Sequence, residues 1–324
     1  VLNQTAYALT CYQKILQFEP GDADALDAMA DIYRDAQQWI ELSQVLVQRA
    51  EAETVPEIRR DLRCETARVY YERLSEVDES KKILTAVLSD DPGATKAAAL
   101  LTKIYEKTED WAGLAEILSD AVEGMAAGED RVQERFKLGE IYELRLQDMK
   151  AAAKQYMTAV EEDPEHLDSL KGLERVYAIN DDFGGLRDVL EAQLEIAVTV
   201  KQKISLLERL ANIYEEEFKD IEKAIGAYKK VIDFDDENSE ALAALTRHLR
   251  KKQMYDDLVD VLKRRADLSD SEEEKREFLS ERAKIYKEEL EDAEKATEAI
   301  NELAELGGGG SALAQIARSQ IELG

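Results

Sequence analysis

Residues 25–33 read ALDAMADIY, and this stretch decides the fold class. Leu26, Met29 and Tyr33 are spaced i, i+3 and i+7, which places them on one face of a helix. A second apolar stripe begins at Trp39, after a polar break that is too short for anything but an antiparallel turn. The stretch therefore predicts a helical hairpin.

The hairpin pattern recurs along the chain. Equivalents of Tyr33 follow one another at alternating intervals of 37 and 35 residues, so the true period is a pair of hairpins 72 residues long. A two-helix hairpin cannot bury its own apolar stripe, so neighbouring hairpins have to stack and share one core. The equivalent positions are Tyr33, Tyr70, Tyr105, Tyr142, Tyr177, Tyr214, Leu249 and Tyr286, and the same 72-residue step relates Trp39, Trp111, Phe183 and Tyr255.

The hairpins resemble tetratricopeptide repeats (TPRs). Leu138, Gly139 and Tyr142 match the first-helix positions of that family, and Ala152 and Tyr156 match second-helix positions. The resemblance implies an all-α fold, a right-handed superhelical solenoid of TPR-like helical hairpins. It also implies that the first helix of each hairpin lines a concave groove.

The resemblance covers most of the chain. We expect the second helix of a truncated hairpin in residues 1–20 and eight hairpins, in four 72-residue pairs, in residues 21–306. Thr102, Glu174 and Thr246 replace a small residue of the family pattern. The odd-numbered hairpins are therefore expected to pack more loosely than the even-numbered ones.

The last residues allow two interpretations. Residues 307–311 read GGGGS, a Gly-rich loop or flexible linker, and residues 312–324 follow with helical apolar spacing. That segment is either the first helix of a further hairpin or a tethered peptide.

Composition excludes some partners. The 43 Lys and Arg against 71 Asp and Glu give a net charge of −28, which argues against nucleic-acid binding. No apolar run of about 18 residues occurs, so we expect no membrane insertion. Cys11 and Cys64 are predicted to be buried free thiols, which mildly favours a reducing, cytoplasmic location.

No catalytic constellation is visible. His166 and His248 have no Cys, Ser or Asp partner at a telling spacing, and we expect both in surface or capping roles. The acidic run of residues 235–240 lacks the glycine and the odd-position acids of a calcium loop. We therefore predict a protein that is not an enzyme and that holds no cofactor and no metal.

The resemblance implies partner contacts at the first-helix positions that face the groove in TPRs. Opposite charges there could instead be paired between neighbouring hairpins, and this alternative stays open. A carboxylate clamp is not expected, because Lys171 is followed by Arg175 and Asn212 is preceded by Glu208. The candidate partner-binding residues are Arg68, Tyr71, Lys103, Phe136, Arg175, Asn212, Arg247 and Arg250.

These features together predict a non-catalytic scaffold that binds a peptide segment or helix of a partner protein in the groove. Two alternatives remain. One is that the chain is the repeat or regulatory region of a larger enzyme, because Val1 begins in mid-pattern. It could also be a structural solenoid that self-associates through its end repeats or through residues 312–324.

Overall fold

The structure is a computed structural model that describes residues 2–306. These residues form α-helices joined by short turns and contain no β-strand. Helices α4 and α8 each run on into a short π-helical segment, Tyr70–Leu74 and Ile141–Leu146. The chain divides into two compact halves, which meet in sequence at Glu162 and Asp163.

The N-terminal half holds nine α-helices among its described residues, and each contacts its neighbours in sequence. Their bounds are α1 Leu2–Phe18, α2 Ala23–Asp35, α3 Trp39–Ala52, α4 Pro56–Val69, α5 Val77–Asp90, α6 Thr95–Thr108, α7 Trp111–Gly124, α8 Glu129–Glu140 and α9 Met149–Glu162.

The C-terminal half holds eight α-helices among its described residues, joined in the same way. Their bounds are α10 Leu167–Ile179, α11 Phe183–Ile196, α12 Val200–Glu216, α13 Ile221–Phe234, α14 Ser239–Lys252, α15 Tyr255–Leu268, α16 Glu272–Glu288 and α17 Ala293–Leu306. From α2 onward, each even-numbered helix is the first helix of a hairpin and the odd-numbered helix after it is the second.

The first hairpin shows how the local sequence sets the helices. The side chain of Asp22 accepts a hydrogen bond from the backbone N–H of Ala25 and so caps α2. Leu26, Met29 and Tyr33 are buried, as the spacing predicts. After α2 the chain reverses through Gln37, whose φ of 56° lies in the left-handed region.

The same geometry repeats at the same steps. The second helices of the odd-numbered hairpins, α3, α7, α11 and α15, are each 14 residues long and start at equivalent residues 72 apart. Every described hairpin turn from α2 to α17 contains one non-glycine residue with positive φ. These residues are Gln37, Ser75, Glu109, Gln147, Asp181, Lys219, Gln253 and Glu291.

Acidic residues cap the second helix in three of the four even-numbered hairpins. The carboxylates of Asp148, Asp220 and Asp292 each accept a hydrogen bond from the backbone N–H three residues later. Asp91 and Asp235 lie in extended backbone after the second helix and end it.

The two helices of a hairpin lie in closer contact in the even-numbered hairpins than in the odd-numbered ones. A small residue of the first helix faces the second helix in the even-numbered hairpins. Gly139 is the tightest case, since a Cβ there would lie 2.4 Å from the ring of the fully buried Tyr156. The small residues are Ala67, Gly139, Ala211 and Ala283, and in three odd-numbered hairpins Thr102, Glu174 and Thr246 stand at that position.

Other sequence predictions have mixed outcomes. Cys64 is buried, but Cys11 is only half-buried. Within residues 2–306, no helix is both long enough and apolar enough to cross a membrane. The predictions for residues 307–311 and 312–324 lie outside the described residues.

Candidate functional site

Neighbouring first helices lie side by side in the N-terminal half, where ion pairs join them. Arg34 of α2 donates to Glu65 of α4 at 2.8 Å, and Lys96 of α6 lies 3.0 Å from Asp61 of α4. We call the exposed side of the first helices within one half its first-helix face. In this half it is formed by α2, α4, α6 and α8.

A cleft of about 500 Å³ opens on this face between α2, α4 and α6. Its floor is apolar, and charged side chains of both signs stand around it. Arg73 lies over the Trp39 ring, with its guanidinium carbon 4.7 Å from the ring centre. The charged residues are Arg34, Asp61, Glu65, Arg68, Glu72, Arg73 and Lys96.

The electrostatics of this cleft follow from burial and pairing. Burial by itself lowers the pKa of Arg34, but hydrogen bonds and charges from Glu65 and Asp31 outweigh that effect, so the pKa is raised. Burial, followed by the negative charge of Asp61, raises the pKa of the Cys64 thiol on the cleft floor. Cys64 is therefore a protonated thiol at neutral pH, which is the unreactive form.

In the C-terminal half, three pairs of neighbouring first helices are joined by ion pairs in the same way. The pairs are Arg209 of α12 with Glu174 of α10 at 2.6 Å, Arg247 of α14 with Glu215 of α12 at 2.7 Å, and Arg250 of α14 with Glu281 of α16 at 2.8 Å. In the last pair two guanidinium nitrogens each meet one carboxylate oxygen, the bidentate arrangement that fixes an arginine most firmly.

The candidate partner-binding residues of the N-terminal half differ in accessibility. Arg68 and Lys103 are exposed, and Arg68 lines the cleft between α2, α4 and α6. Tyr71 is half-buried, and its hydroxyl is buried with no hydrogen-bond partner among the described residues. Phe136 is half-buried too, with its ring centre 5.8 Å from that of Tyr156.

The candidates of the C-terminal half are all exposed, and all four make contacts inside the protein. Arg247 and Arg250 form the ion pairs described above, and the amide oxygen of Asn212 accepts a hydrogen bond from the Tyr228 hydroxyl at 3.0 Å. Arg175 also interacts within the protein. The charges of Arg247 and Arg250 are thus paired between hairpins, which is the alternative that the sequence leaves open.

The prediction for the two histidines is right for one and wrong for the other. His166 caps α10, since its ring nitrogen accepts from the backbone N–H of Ser169. His248 is neither a surface nor a capping residue. It is 3% exposed, stacks on Tyr228, and its Nε2 lies 2.8 Å from Glu215. Sequence spacing missed this contact because Glu215 is 33 residues away, on the neighbouring first helix.

The described part of the chain holds no group of three or more His, Cys, Asp or Glu side chains placed to bind a metal ion. What the first-helix face offers is an array of guanidinium, ammonium, carboxylate and amide groups on rigid helices. Such an array can form charge-assisted hydrogen bonds to a polypeptide.

Comparisons with solved structures find helical repeat proteins at low identity. The C-terminal part of a TPR repeat-containing protein from Cytophaga hutchinsonii is 14% identical, with 75% of this chain and 95% of that chain covered and a TM-score of 0.35. YrrB, described as a TPR protein with an unusual peptide-binding site, is 16% identical, with 63% and 99% covered and a TM-score of 0.33. A tetratricopeptide repeat protein from Parabacteroides merdae is 12% identical, with 80% and 97% covered and a TM-score of 0.32. No curated protein matches the sequence.

A sequence profile of the tetratricopeptide repeat matches residues 241–276. The matched stretch contains α14, α15 and the start of α16, so it begins on the seventh hairpin and reaches the eighth. Hairpins of the same kind precede it at the same steps. Over residues 241–276 the chain is therefore similar to the tetratricopeptide repeat family.

Proposed function

We propose that the chain is a non-catalytic scaffold that binds a peptide segment or a helix of a partner protein along its first-helix faces. TPR proteins are in general protein-interaction scaffolds, and this supports the coarser part of the proposal. The single observation that carries the finer part is the row of charged side chains that stands on adjacent first helices in fixed positions.

The ion pairs preorganise this face for binding. Exposed ion pairs contribute only about 0–1 kcal/mol each to stability, so a stabilising effect on the fold is a weak explanation for this row of charged side chains. The pairs nevertheless hold the long side chains of Arg247 and Arg250 in defined positions, which lowers the entropy that a partner has to remove on binding. Charges placed in this way set the register and the association rate of a partner more than its affinity.

The cleft between α2, α4 and α6 is part of the proposed surface in the N-terminal half. The ring of Trp39 provides apolar contact area, while Arg68 can donate hydrogen bonds and Glu72 can accept them. Among the candidates of this half, Arg68 is exposed in the cleft and Lys103 is exposed outside it, and Tyr71 and Phe136 would act through the exposed parts of their rings.

The test is a charge reversal with a matched control. The variant Arg247→Glu/Arg250→Glu changes α14 of the first-helix face, and Lys263→Glu/Arg264→Glu makes the same change in charge on the exposed side of the second helix α15. Partners are captured from a lysate by the full chain and by each variant and are then quantified by mass spectrometry. Helicity is checked by circular dichroism.

We expect the first-helix variant to recover at least about five-fold less of a specific partner, and to lose the salt dependence of capture, with helicity unchanged. The control should recover the partner as the natural chain does. Equal recovery by all three proteins would show that the first-helix face does not bind the partner. Self-association and a cytoplasmic location stay predictions, and sedimentation over a concentration series tests the first of them.

A further inference from the structure

Four residues at 72-residue steps occupy one position in the second helices of the odd-numbered hairpins: Arg49, Ala121, Gln193 and Arg265. Three of them carry a long polar side chain, and each of these reaches back to the first helix of its own hairpin. The contacts are Arg49 with Asp27 at 3.2 Å, Gln193 with Glu174 at 2.6 Å, and Arg265 with Thr246 at 3.2 Å. Ala121 is the exception, because its methyl group cannot span that distance.

A cleft of about 590 Å³ opens beside Ala121, between α5, α6 and α7. Leu88, Ile117 and Leu118 give it apolar walls, and Thr102 provides a hydroxyl. All these residues belong to the N-terminal half. This cleft shares no lining residue with the one between α2, α4 and α6, so the two are separate.

The C-terminal half shows what fills the equivalent place. There the guanidinium of Arg265 donates to the Thr246 hydroxyl and lies 4.3 Å from the centre of the Phe278 ring. Thr246 is the counterpart of Thr102, two 72-residue steps later in the chain. The cleft thus contains Thr102, the counterpart of the residue that accepts from Arg265, but it has Ala121 in place of the arginine.

The charge at the mouth of the cleft also favours a guanidinium group. Glu116, Asp120 and Glu123 line it, and its described lining contains no Lys, Arg or His. Glu123 has a long ion pair of 3.4 Å with Arg135 but keeps 71% of its side chain exposed, so its carboxylate can accept further donors. A guanidinium on an apolar stem suits such a site better than an ammonium, because it is planar, more weakly hydrated and carries several donors.

We propose that this cleft binds an arginine side chain of a partner protein. The guanidinium reaches the Thr102 hydroxyl and the carboxylates at the mouth, and the methylene stem packs on Leu88 and Ile117. The arginine of the partner thereby takes the place that Arg265 fills within its own hairpin. This site goes beyond the first-helix faces, and it stands whether or not they bind a partner.

The first test uses small probes and methyl NMR spectroscopy on the full chain. We expect n-propylguanidinium to give saturable shifts of the Leu88, Ile117 and Leu118 methyl signals at millimolar concentration, and n-butylammonium to bind several-fold more weakly. The variant Ala121→Arg places an arginine side chain of the protein itself in the cleft and should weaken binding of the guanidinium probe at least ten-fold. Ala112→Arg adds the same charge to an exposed position of α7 outside the cleft and should leave binding unchanged.

The second test uses peptides. An acetylated and amidated peptide with one arginine between leucines should bind at least ten-fold more tightly than its citrulline counterpart, which has the same shape without the charge. In Ala121→Arg the two peptides should bind equally. Ala121→Gln, which copies Gln193, replaces that variant if circular dichroism shows that Ala121→Arg does not fold.

Three results would overturn the proposal. One is the absence of saturable methyl shifts with the guanidinium probe. Another is probe binding that a folded Ala121→Arg or Ala121→Gln variant leaves unchanged. The third is equal affinity of the arginine and citrulline peptides for the natural chain.

Discussion

The close approach of Gly139 to Tyr156 gives the sharpest prediction about stability. In an ordinary helix, Gly→Ala raises the free energy of unfolding by about 0.8–1 kcal/mol. In α8 the added Cβ would lie 2.4 Å from Cε1 of the Tyr156 ring, so the fully buried ring has to move. We therefore expect Gly139→Ala to lower the stability of the N-terminal half.

The magnitude follows from the hydrogen bond that the ring now makes. The Tyr156 hydroxyl donates to the buried carboxylate of Glu143 at 2.7 Å, and a hydrogen bond to a charged group contributes about 1.5–3 kcal/mol. One 72-residue step later Ala211 stands in place of the glycine, and there the hydroxyl of Tyr228 donates to Asn212 instead. Loss of the first bond, less the gain in helix propensity, lowers the free energy of unfolding by about 1 kcal/mol.

Tryptophan fluorescence during urea unfolding measures this change in the correct half, because Trp39 and Trp111 both belong to the N-terminal half. The control is Gly226→Ala in α13, where a Cβ meets no atom within 4 Å. Circular dichroism should show this variant to be more stable by up to about 1 kcal/mol. If Gly139→Ala proved as stabilising as Gly226→Ala, the argument from the Tyr156 contact would be refuted.

Two further predictions concern the C-terminal half. Burial, followed by the hydrogen bond to Glu191, raises the pKa of Tyr214 to about 12, whereas an unfolded tyrosine titrates near pH ~10. As pH rises, the unfolded chain loses this proton first, so the stabilising contribution is present below pH ~10 and is lost between pH ~10 and ~12. Urea midpoints should fall less steeply in that range for Tyr214→Phe, and equal slopes would contradict the assignment. Gln253 has a φ of 57°, where glycine is favoured over alanine by about 1 kcal/mol. Gln253→Gly should therefore melt at a higher temperature than Gln253→Ala, and equal melting would argue against left-handed backbone at this turn.

The sequence predicted the helices well because their signals are local. The spacing of Leu26, Met29 and Tyr33 determines a helix face from neighbouring residues, and the carboxylate of Asp220 caps the helix that starts one residue later. Such signals need no knowledge of distant contacts, so a regular repeat makes them reliable.

The details of the candidate site were harder to predict because they depend on which hairpins are neighbours. Arg250 looks like a free cation in the sequence, yet it is held by Glu281 of the next first helix. His248 looks like a surface residue until Glu215 and Tyr228 are brought against it. The division of the chain after Glu162 has no strong local signal either, since Asp163-Pro164 resembles the Asp91-Pro92 junction inside the N-terminal half.

The cleft beside Ala121 was missed for another reason. An alanine in a helix carries no signal of its own and is the best helix former. The signal lies in the comparison of Ala121 with Arg49, Gln193 and Arg265, that is, in one position compared across the repeats.

The regular start points of α3, α7, α11 and α15 have a consequence for how the gene can change length. Excision of the codons for residues 39–110 would bring Trp111 to the place of Trp39. Helix α2 would then be followed by α7, which is equivalent to α3, so each remaining helix would keep a neighbour of the same type. Excision of the codons for residues 39–74 alone would instead join α2, the first helix of an odd-numbered hairpin, to α5, the second helix of an even-numbered one. We therefore expect this gene to change length by two hairpins more readily than by one.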